Sequence, residues 1–165
     1  MHPTPDPTGP GQESVWEYPR PPALDVSGRR VRIVHRGVIV ADTAAALRVL
    51  ETSHPPTYYI PPGDVAAGVL RASAQGGSWC EWKGVARYWD AVVGDEVFPG
   101  VAWSYPQPSA TFEGLRDHVA FYCAPFDECL VDGARAVAQP GGFYGGWVTP
   151  SVAGPFKGGP GSRFW

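Results

Sequence analysis

The chain has 165 residues, of which 44% are hydrophobic and 18% are charged, and it contains 21 glycines and 19 prolines. This length predicts one domain with a single core, and so many glycines and prolines favour β-structure with frequent turns. The formal charge of −3 excludes a broad cationic face, so we expect neither duplex nucleic acid nor an anionic membrane as a partner.

The cysteines and the start of the sequence predict a compartment. Cys80, Cys123 and Cys129 form neither an even disulfide framework nor a CxxC pair. The opening Met-His-Pro lacks the apolar segment of a signal peptide, and no run approaches the roughly 18 apolar residues of a spanning helix. We therefore expect a reduced, cytoplasmic protein.

The first third of the chain predicts a leader, a hairpin and short helices. Residues 1–12 are rich in proline, glycine and small polar residues, which predicts a disordered leader before a single domain at 13–165. The apolar runs 31–34 and 38–41 predict a hairpin that turns at Gly37. Asp42 or Thr43 can cap a helix over 44–50, and a second helix is predicted over 64–70.

The remainder predicts strands. Residues 80–89 predict a central strand, which would place Cys80 and Trp82 on one face and Glu81 and Lys83 on the other. Further strands are predicted over 102–105, 119–123, 130–138 and 143–148, with a hairpin turn at Asp132-Gly133. The fold class is therefore mostly β with two or three short helices. The segment 139–165 combines glycine, proline and aromatic residues, which is typical of close backbone approach and a shaped surface.

Six segments in order, at residues 13–22, 41–62, 80–89, 102–108, 119–123 and 139–161, resemble a bacterial family called domain of unknown function 427. The resemblance implies one compact β domain related to the β-tent group, in which two antiparallel sheets meet at an angle. Many members of that group hold zinc with two cysteine pairs, but the absence of any CxxC argues against a structural zinc here. The family is also labelled nucleotidyltransferase-like, a label that no residue pattern here supports.

Glu51 and His54 are candidates for acid–base chemistry. They lie three residues apart where the first predicted helix ends, and a carboxylate can orient an imidazole that titrates near neutrality. The alternatives are a helix C-terminus stabilised by His54, or a metal site that Cys80 or Glu81 would complete.

Residues 80–84 supply a second candidate group. Glu81 and Lys83 can form an ion pair, or they can present a base and a cation to one ligand. Cys80 is a possible nucleophile if a histidine or lysine lies nearby, and an inert buried thiol if none does. The predicted catalytic residues are therefore Glu51, His54, Lys83 and Cys80.

Aromatic rings in the family-like segments predict the walls of a pocket. Core packing is the alternative for part of them. A glycine-rich turn at 154–161 carries Lys157 and can form either an anion nest or a structural loop. The predicted ligand-binding residues are Tyr58, Tyr59, Glu81, Trp82, Trp103, Tyr105, Tyr144, Trp147 and Lys157.

Three functions follow from these residues. The first is the binding of a small polar or aromatic molecule in an aromatic pocket between the sheets. The second is an enzyme that uses the same pocket, with a His/Glu acid–base pair and a lysine; nucleotidyl transfer is the reaction that the family label alone suggests. The third is a non-catalytic module that docks a protein partner or a second copy of the chain as a homodimer. Whether a cofactor binds is unknown from the sequence.

Overall fold

Short strands and turns build almost the whole of residues 2–165, the part of the chain that this computed structural model describes. The strands are β1 (Glu13–Ser14), β2 (Ala23–Val26), β3 (Val31–His35), β4 (Val38–Thr43), β5 (Leu47–Leu50), β6 (Thr57–Tyr59), β7 (Leu70–Ala72), β8 (Ser78–Cys80), β9 (Gly84–Val93), β10 (Glu96–Ser104), β11 (Val119–Phe121), β12 (Glu128–Val131), β13 (Ala134–Arg135), β14 (Val137–Ala138), β15 (Trp147–Val148) and β16 (Val152–Ala153). Three 3-10 helices cover Val15–Glu17, Pro62–Asp64 and Ala110–Leu115.

The strands form several mostly antiparallel sheets. The largest has the order β11-β10-β9-β7, and β8 pairs with β9 beside it. A four-stranded sheet has the order β13-β12-β3-β4, and a three-stranded sheet has the order β2-β5-β6. β14 pairs with β15, and β1 with β16 in parallel. The predicted mostly β fold class is confirmed.

The interior has two main hydrophobic clusters, which side-chain alternation separates, and a minor third cluster around Val15. On β6, Tyr58 packs into the larger cluster and Tyr59 into the smaller one, because neighbouring strand residues point to opposite faces. On β11, Phe121 likewise packs into the larger cluster and Ala120 into the smaller one. A single bridge between Ile60 and Val119 connects the three-stranded and five-stranded sheets. The smaller cluster therefore spans both sheets, and the candidate site lies on it.

The two predicted helices are wrong. Residues 47–50 form β5, which pairs with β2 on one side and β6 on the other and buries Val49. Thr43 does accept a hydrogen bond from the Ala45 N–H, as a capping residue would, but the chain then becomes extended. Residues 64–70 contain the end of a 3-10 helix and the start of β7. Strand pairing outweighs local helix propensity in both segments.

The strand predictions are correct where the residues of a local turn determine the hairpin. The hairpins β3–β4 and β12–β13 form around Gly37 and Asp132-Gly133 as predicted. The predicted strand 80–89 is instead a hairpin, because the chain turns at residues 81–83 and returns with Cys80 opposite Gly84. The predicted strand 143–148 is reduced to β15, and 130–138 is divided among β12, β13 and β14.

Residues 2–12 lie against the C-terminal part of the chain. The Asp6 N–H donates to the Gly154 carbonyl at 2.8 Å, and the Gln12 amide donates to the Pro150 carbonyl at 3.0 Å. The domain boundary at residue 12 stays a prediction. None of the helices within residues 2–165 has the length and apolar character needed to cross a membrane.

Candidate functional site

A cavity of about 580 Å³ lies on the smaller core cluster. Its walls come from β5 and β6, from the β8–β9 hairpin, from the end of β10 and from the segment 139–157. Eleven of the predicted site residues line it: Glu51, His54, Tyr59, Cys80, Glu81, Trp82, Lys83, Trp103, Tyr105, Tyr144 and Lys157. Chain folding thus brings four distant segments together, and the roles assigned to these residues stay predictions.

Two predicted ligand-binding residues do not line this cavity. Tyr58 and Trp147 are 2% and 1% exposed and belong to the larger core cluster, where their rings lie 5.4 Å apart. Tyr58 is excluded because alternation along β6 turns Tyr59, and not Tyr58, toward the cavity. The Trp147 indole N–H donates to the Phe121 carbonyl at 2.9 Å, which satisfies its polar group inside the core.

The aromatic floor of the cavity is tightly packed. The Trp103 ring lies 4.8 Å from the Tyr122 ring, and its indole N–H donates to the Tyr59 hydroxyl at 3.3 Å. A Cβ on Gly145 would lie 2.1 Å from the Trp103 ring. A Cβ on Gly146 would lie 2.5 Å from the Pro55 carbonyl oxygen. The close approach predicted for the glycine-rich segment is therefore a contact between its backbone and the cavity wall.

Glu51 and His54 occupy a turn after β5, not a helix end. The His54 N–H donates to the Glu51 carbonyl at 3.0 Å, and Ser53 has a left-handed φ of 73°. The turn places His54 Nε2 at 3.5 Å from Glu51 Oε2. Arg20 binds the same carboxylate at 3.2 Å, so the charge of Glu51 already has a partner.

Gln139 determines which nitrogen of His54 carries the proton. Its Oε1 accepts from the Gly146 N–H at 3.0 Å, and its Nε2 donates to the Lys157 carbonyl at 2.9 Å, so the amide fits in one orientation. The same Nε2 lies 3.0 Å from His54 Nδ1, which must therefore accept a hydrogen bond. Neutral His54 consequently carries its proton on Nε2, on the side of Glu51.

His54 is neutral at physiological pH. Burial lowers its pKa from 6.5 to about 4; Glu51 opposes this shift, whereas Lys157, Arg20 and Lys83 add to it. Its ring also packs edge-on against Tyr144 at 4.7 Å. The side chain therefore offers the cavity a neutral N–H donor, while Glu51 provides the negative charge of the pair.

Lys83 lies in the turn of the β8–β9 hairpin. The turn is held by Ser109, whose N–H donates to the Lys83 carbonyl and whose hydroxyl donates to the Trp82 carbonyl. The ammonium lies 5.8 Å from the centre of the Tyr105 ring. Burial lowers the pKa of Lys83, but Tyr59, Cys80 and the Glu51 carboxylate together outweigh burial and raise it, so the group is charged at neutral pH. Because the hairpin folds back, Lys83 and Cys80 reach one cavity instead of opposite sheet faces.

Lys157 lies on another wall. Its Nζ is 5.7 Å from the Tyr144 ring and donates to the Trp165 oxygen at 3.2 Å. The glycine-rich turn around it is not an open anion nest, because the N–H groups of Lys157 and Gly158 donate to Ser53 and Ser162. These two N–H groups hold the loop in place, and the Lys157 ammonium is the group that faces the cavity.

Sequence reasoning missed eleven of the residues that line the cavity, among them Gln139, Tyr122, Trp79 and Phe143. Gln139 is 2% exposed and orients His54, and Tyr122 packs on Trp103. Trp79 and Phe143 also line the cavity although they are 74% and 76% exposed. Tyr122 could have been found, because alternation along the predicted strand 119–123 places it on the same face as the inward-facing Ala120. No local sequence pattern marks Gln139, Trp79 or Phe143.

Metal ligation was a further alternative for the Glu51–His54 pair. Within residues 2–165, no three or more His, Cys, Asp or Glu side chains converge as a metal-binding group. The described geometry thus brings no third ligand from Cys80 or Glu81 to this pair.

Comparison with known proteins places the chain in a family. Residues 23–132 match the model of a family described as a domain of unknown function, DUF427. The chain belongs to the DUF427 family. No curated protein matches it. The nucleotidyltransferase label is part of the DUF427 model's name and adds no observation about activity.

The DUF427 match includes only part of the cavity. Glu51, His54 and the β8–β9 hairpin lie inside the matched region, whereas Gln139, Tyr144 and Lys157 follow it. The resemblance noted in the sequence extends to residue 161, and it includes this final wall.

Proposed function

We propose that the cavity binds a small molecule whose flat part lies against the rings of Tyr59, Trp103 and Tyr105. The observation that supports this proposal is the convergence of aromatic walls and polar groups from four separate segments on one concavity. Its volume of about 580 Å³ is within the range of ordinary ligand sites, roughly 300–1,000 Å³. A core that only had to be filled would not need this open space.

The polar groups of the cavity favour a ligand that is oriented by hydrogen bonds. Burial raises the pKa values of Tyr59 and Tyr105, so both phenols stay neutral hydroxyls at physiological pH. His54 contributes a neutral N–H, and Glu51 contributes a carboxylate. A few fixed donors and acceptors on a mostly aromatic surface are typical of sites that select one ligand orientation.

The test is a ligand-capture experiment with a variant whose cavity is blocked. Ser78→Trp places a large ring at an exposed position that lines the cavity, whereas Thr111→Trp adds the same ring at an exposed position outside it. Each protein is incubated with a cell metabolite extract, and bound small molecules are measured by native mass spectrometry. We expect the same molecules on wild type and Thr111→Trp, and their loss from Ser78→Trp. Equal capture by all three proteins, or none by wild type, contradicts the proposal.

A second candidate is an enzyme that uses the same cavity, and the Glu51–His54 contact at 3.5 Å favours it. In this version Glu51 accepts a proton from the ligand, and His54 acts as a neutral donor because its Nδ1 is occupied by Gln139. If a captured molecule is converted, Glu51→Gln should slow turnover about 10²–10⁴-fold, as loss of a general base does. Unchanged turnover in Glu51→Gln would eliminate this candidate and leave ligand binding intact.

A further inference from the structure

The distribution of basic residues is unusually uneven. The chain contains 13 lysine and arginine residues, and only Lys83 and Lys157 are lysines. Both lysines line the candidate cavity, whereas none of the arginines among residues 2–165 does. The basic residues outside this cavity are thus all arginines, and both lysine ammonium groups of the chain lie at one site. An ammonium is a point charge that suits a single anionic oxygen.

Lys83 has no anionic partner in the part of the chain that the structure describes. No carboxylate forms a salt bridge with it: Glu51 acts on its charge only from beyond salt-bridge distance, and its nearer described neighbours are the Tyr105 ring, the Tyr59 hydroxyl and the Cys80 thiol. Such a half-buried cation costs free energy unless something compensates its charge. An ammonium has three N–H donors, so most of its hydrogen-bonding capacity is available to a ligand.

The carboxylates on the cavity wall do not satisfy Lys83. Glu51 is bound by Arg20 at 3.2 Å and lies beside His54. Glu81 is exposed, and no salt bridge involves it within residues 2–165. Lys157 is partly satisfied, because its Nζ donates to the Trp165 oxygen at 3.2 Å. Lys83 is therefore the main site for an incoming negative charge, and Lys157 is a secondary one.

We propose that the ligand of this cavity is a small aromatic molecule with an anionic oxygen group, a carboxylate or a phosphate, which Lys83 binds while Tyr105 and Trp103 contact the ring. This inference rests on the proposed function and specifies its ligand class. The aromatic surface supplies the contact for the flat part, and the uncompensated ammonium selects the charge.

The experiment compares four probes of similar size by isothermal titration calorimetry at low salt: benzoate, phenyl phosphate, benzyl alcohol and benzylamine. We expect benzoate or phenyl phosphate to bind at least about tenfold more tightly than benzyl alcohol, and benzylamine to bind most weakly. Tighter binding of benzoate would indicate a carboxylate ligand, and tighter binding of phenyl phosphate would indicate a phosphate ligand. The salt dependence of binding should be confined to the anions.

Variants connect the preference to Lys83. Lys83→Met should abolish the advantage of the anions, whereas Lys83→Arg, which keeps the charge, should retain most of it. Arg71→Met removes one positive charge from an exposed position outside the cavity and should change nothing. If Lys83→Met and wild type have equal melting temperatures, the variant is folded. If the two temperatures differ, Lys83→Gln is used in place of Lys83→Met.

The outcomes separate this inference from the proposed function. If benzyl alcohol binds as tightly as the anions, or if Lys83→Met keeps the anion preference, the ligand class is wrong and the binding cavity stands. If none of the probes binds wild type at up to about 10 mM, a concentration that detects even millimolar affinities, both proposals are overturned.

Discussion

At the residue scale, the hydrogen bonds around His54 have a consequence for stability. Gln139 donates to Nδ1, and burial lowers the pKa of the ring to about 4 from 6.5. The unfolded chain therefore binds the proton more readily than the folded chain. Stability from this residue is fully present above pH 6.5 and is lost as the pH falls from 6.5 toward 4.

We predict that wild type loses up to about 3 kcal/mol more unfolding free energy than His54→Gln between pH 7 and pH 4. The physical reason is that imidazolium formation breaks the bond from Gln139 and places a charge among Lys83, Lys157 and Arg20, which Glu51 only partly offsets. Urea denaturation of both proteins at several pH values measures the difference. Other titrating groups are common to the two proteins and cancel. Parallel curves would contradict the prediction.

A variant of Gln139 tests the assigned proton position directly. In Gln139→Glu a carboxylate would face His54 Nδ1, so the ring should take up a proton there and its pKa should rise above the wild-type value. Nitrogen-15 NMR of the imidazole reads the tautomer without any activity assay. A wild-type ring with its proton on Nδ1 would show that the Gln139 contact is assigned incorrectly.

At the element scale, Arg48 on β5 connects three strands. It donates to Glu13 on β1 at 2.8 Å and to Asp25 on β2 at 2.8 and 2.9 Å, and its side chain is only 14% exposed. Hydrogen bonds from Arg48 lower the pKa of Glu13, so that carboxylate is charged at neutral pH. Arg30 forms a comparable pair with Asp42 at 2.7 Å, but its side chain is 59% exposed.

We predict that Arg48→Met lowers the unfolding free energy by about 1–3 kcal/mol, because it removes a largely buried guanidinium that two carboxylates share, while those carboxylates are themselves 48% and 40% exposed. The matched Arg30→Met should cost clearly less than Arg48→Met, since solvent already screens that pair. Chemical denaturation at pH 7 measures both. Equal losses would show that burial does not distinguish the two ion pairs.

The strands also show which elements sequence reasoning can place. The hairpins at Gly37 and Asp132-Gly133 were predictable because glycine and aspartate satisfy the turn locally. Residues 47–50 were not, because their local signal resembles a capped helix and their strand state depends on pairing with β2 and β6. The turn at 81–83 was missed because residues 80–89 also alternate as one continuous strand would.

At the scale of the whole molecule, the sequence shows which residues of the site carry chemistry but not how they are arranged. Glu51, His54 and Lys83 could be selected because their chemistry is visible in the residue types, and Tyr59 and Trp103 because they lie in family-like segments. That these residues surround one cavity depends on the arrangement of the sheets. The sequence could not show that Trp147 packs in the core or that Gln139 orients His54. Both depend on contacts between residues that are far apart in the chain.

The smaller core cluster joins the structural units into one. It combines Val49 and Tyr59 of the three-stranded sheet, Trp103 of the five-stranded sheet, and Phe112 and Leu115 of a 3-10 helix. Removing any one unit would expose the apolar surface of the others. The four-stranded sheet packs against the five-stranded sheet through the larger cluster. We therefore expect residues 13–165 to unfold as one cooperative unit, including the cavity, and no sheet to separate first.

We predict that Leu115→Ala, at a position that is 0% exposed, lowers the unfolding free energy by about 2–5 kcal/mol, the usual cost of a core cavity. Tryptophan fluorescence reports on the chain's seven tryptophans, of which Trp79, Trp82 and Trp103 line the cavity, and far-ultraviolet circular dichroism reports on the sheets. Because one cluster couples the sheets, both signals should shift to the same lower denaturant midpoint in the variant. The exposed Thr111→Ala in the same 3-10 helix provides the control and should change the stability by less than about 0.5 kcal/mol. A fluorescence transition that precedes the loss of strand signal would show that the chain does not unfold as one cooperative unit.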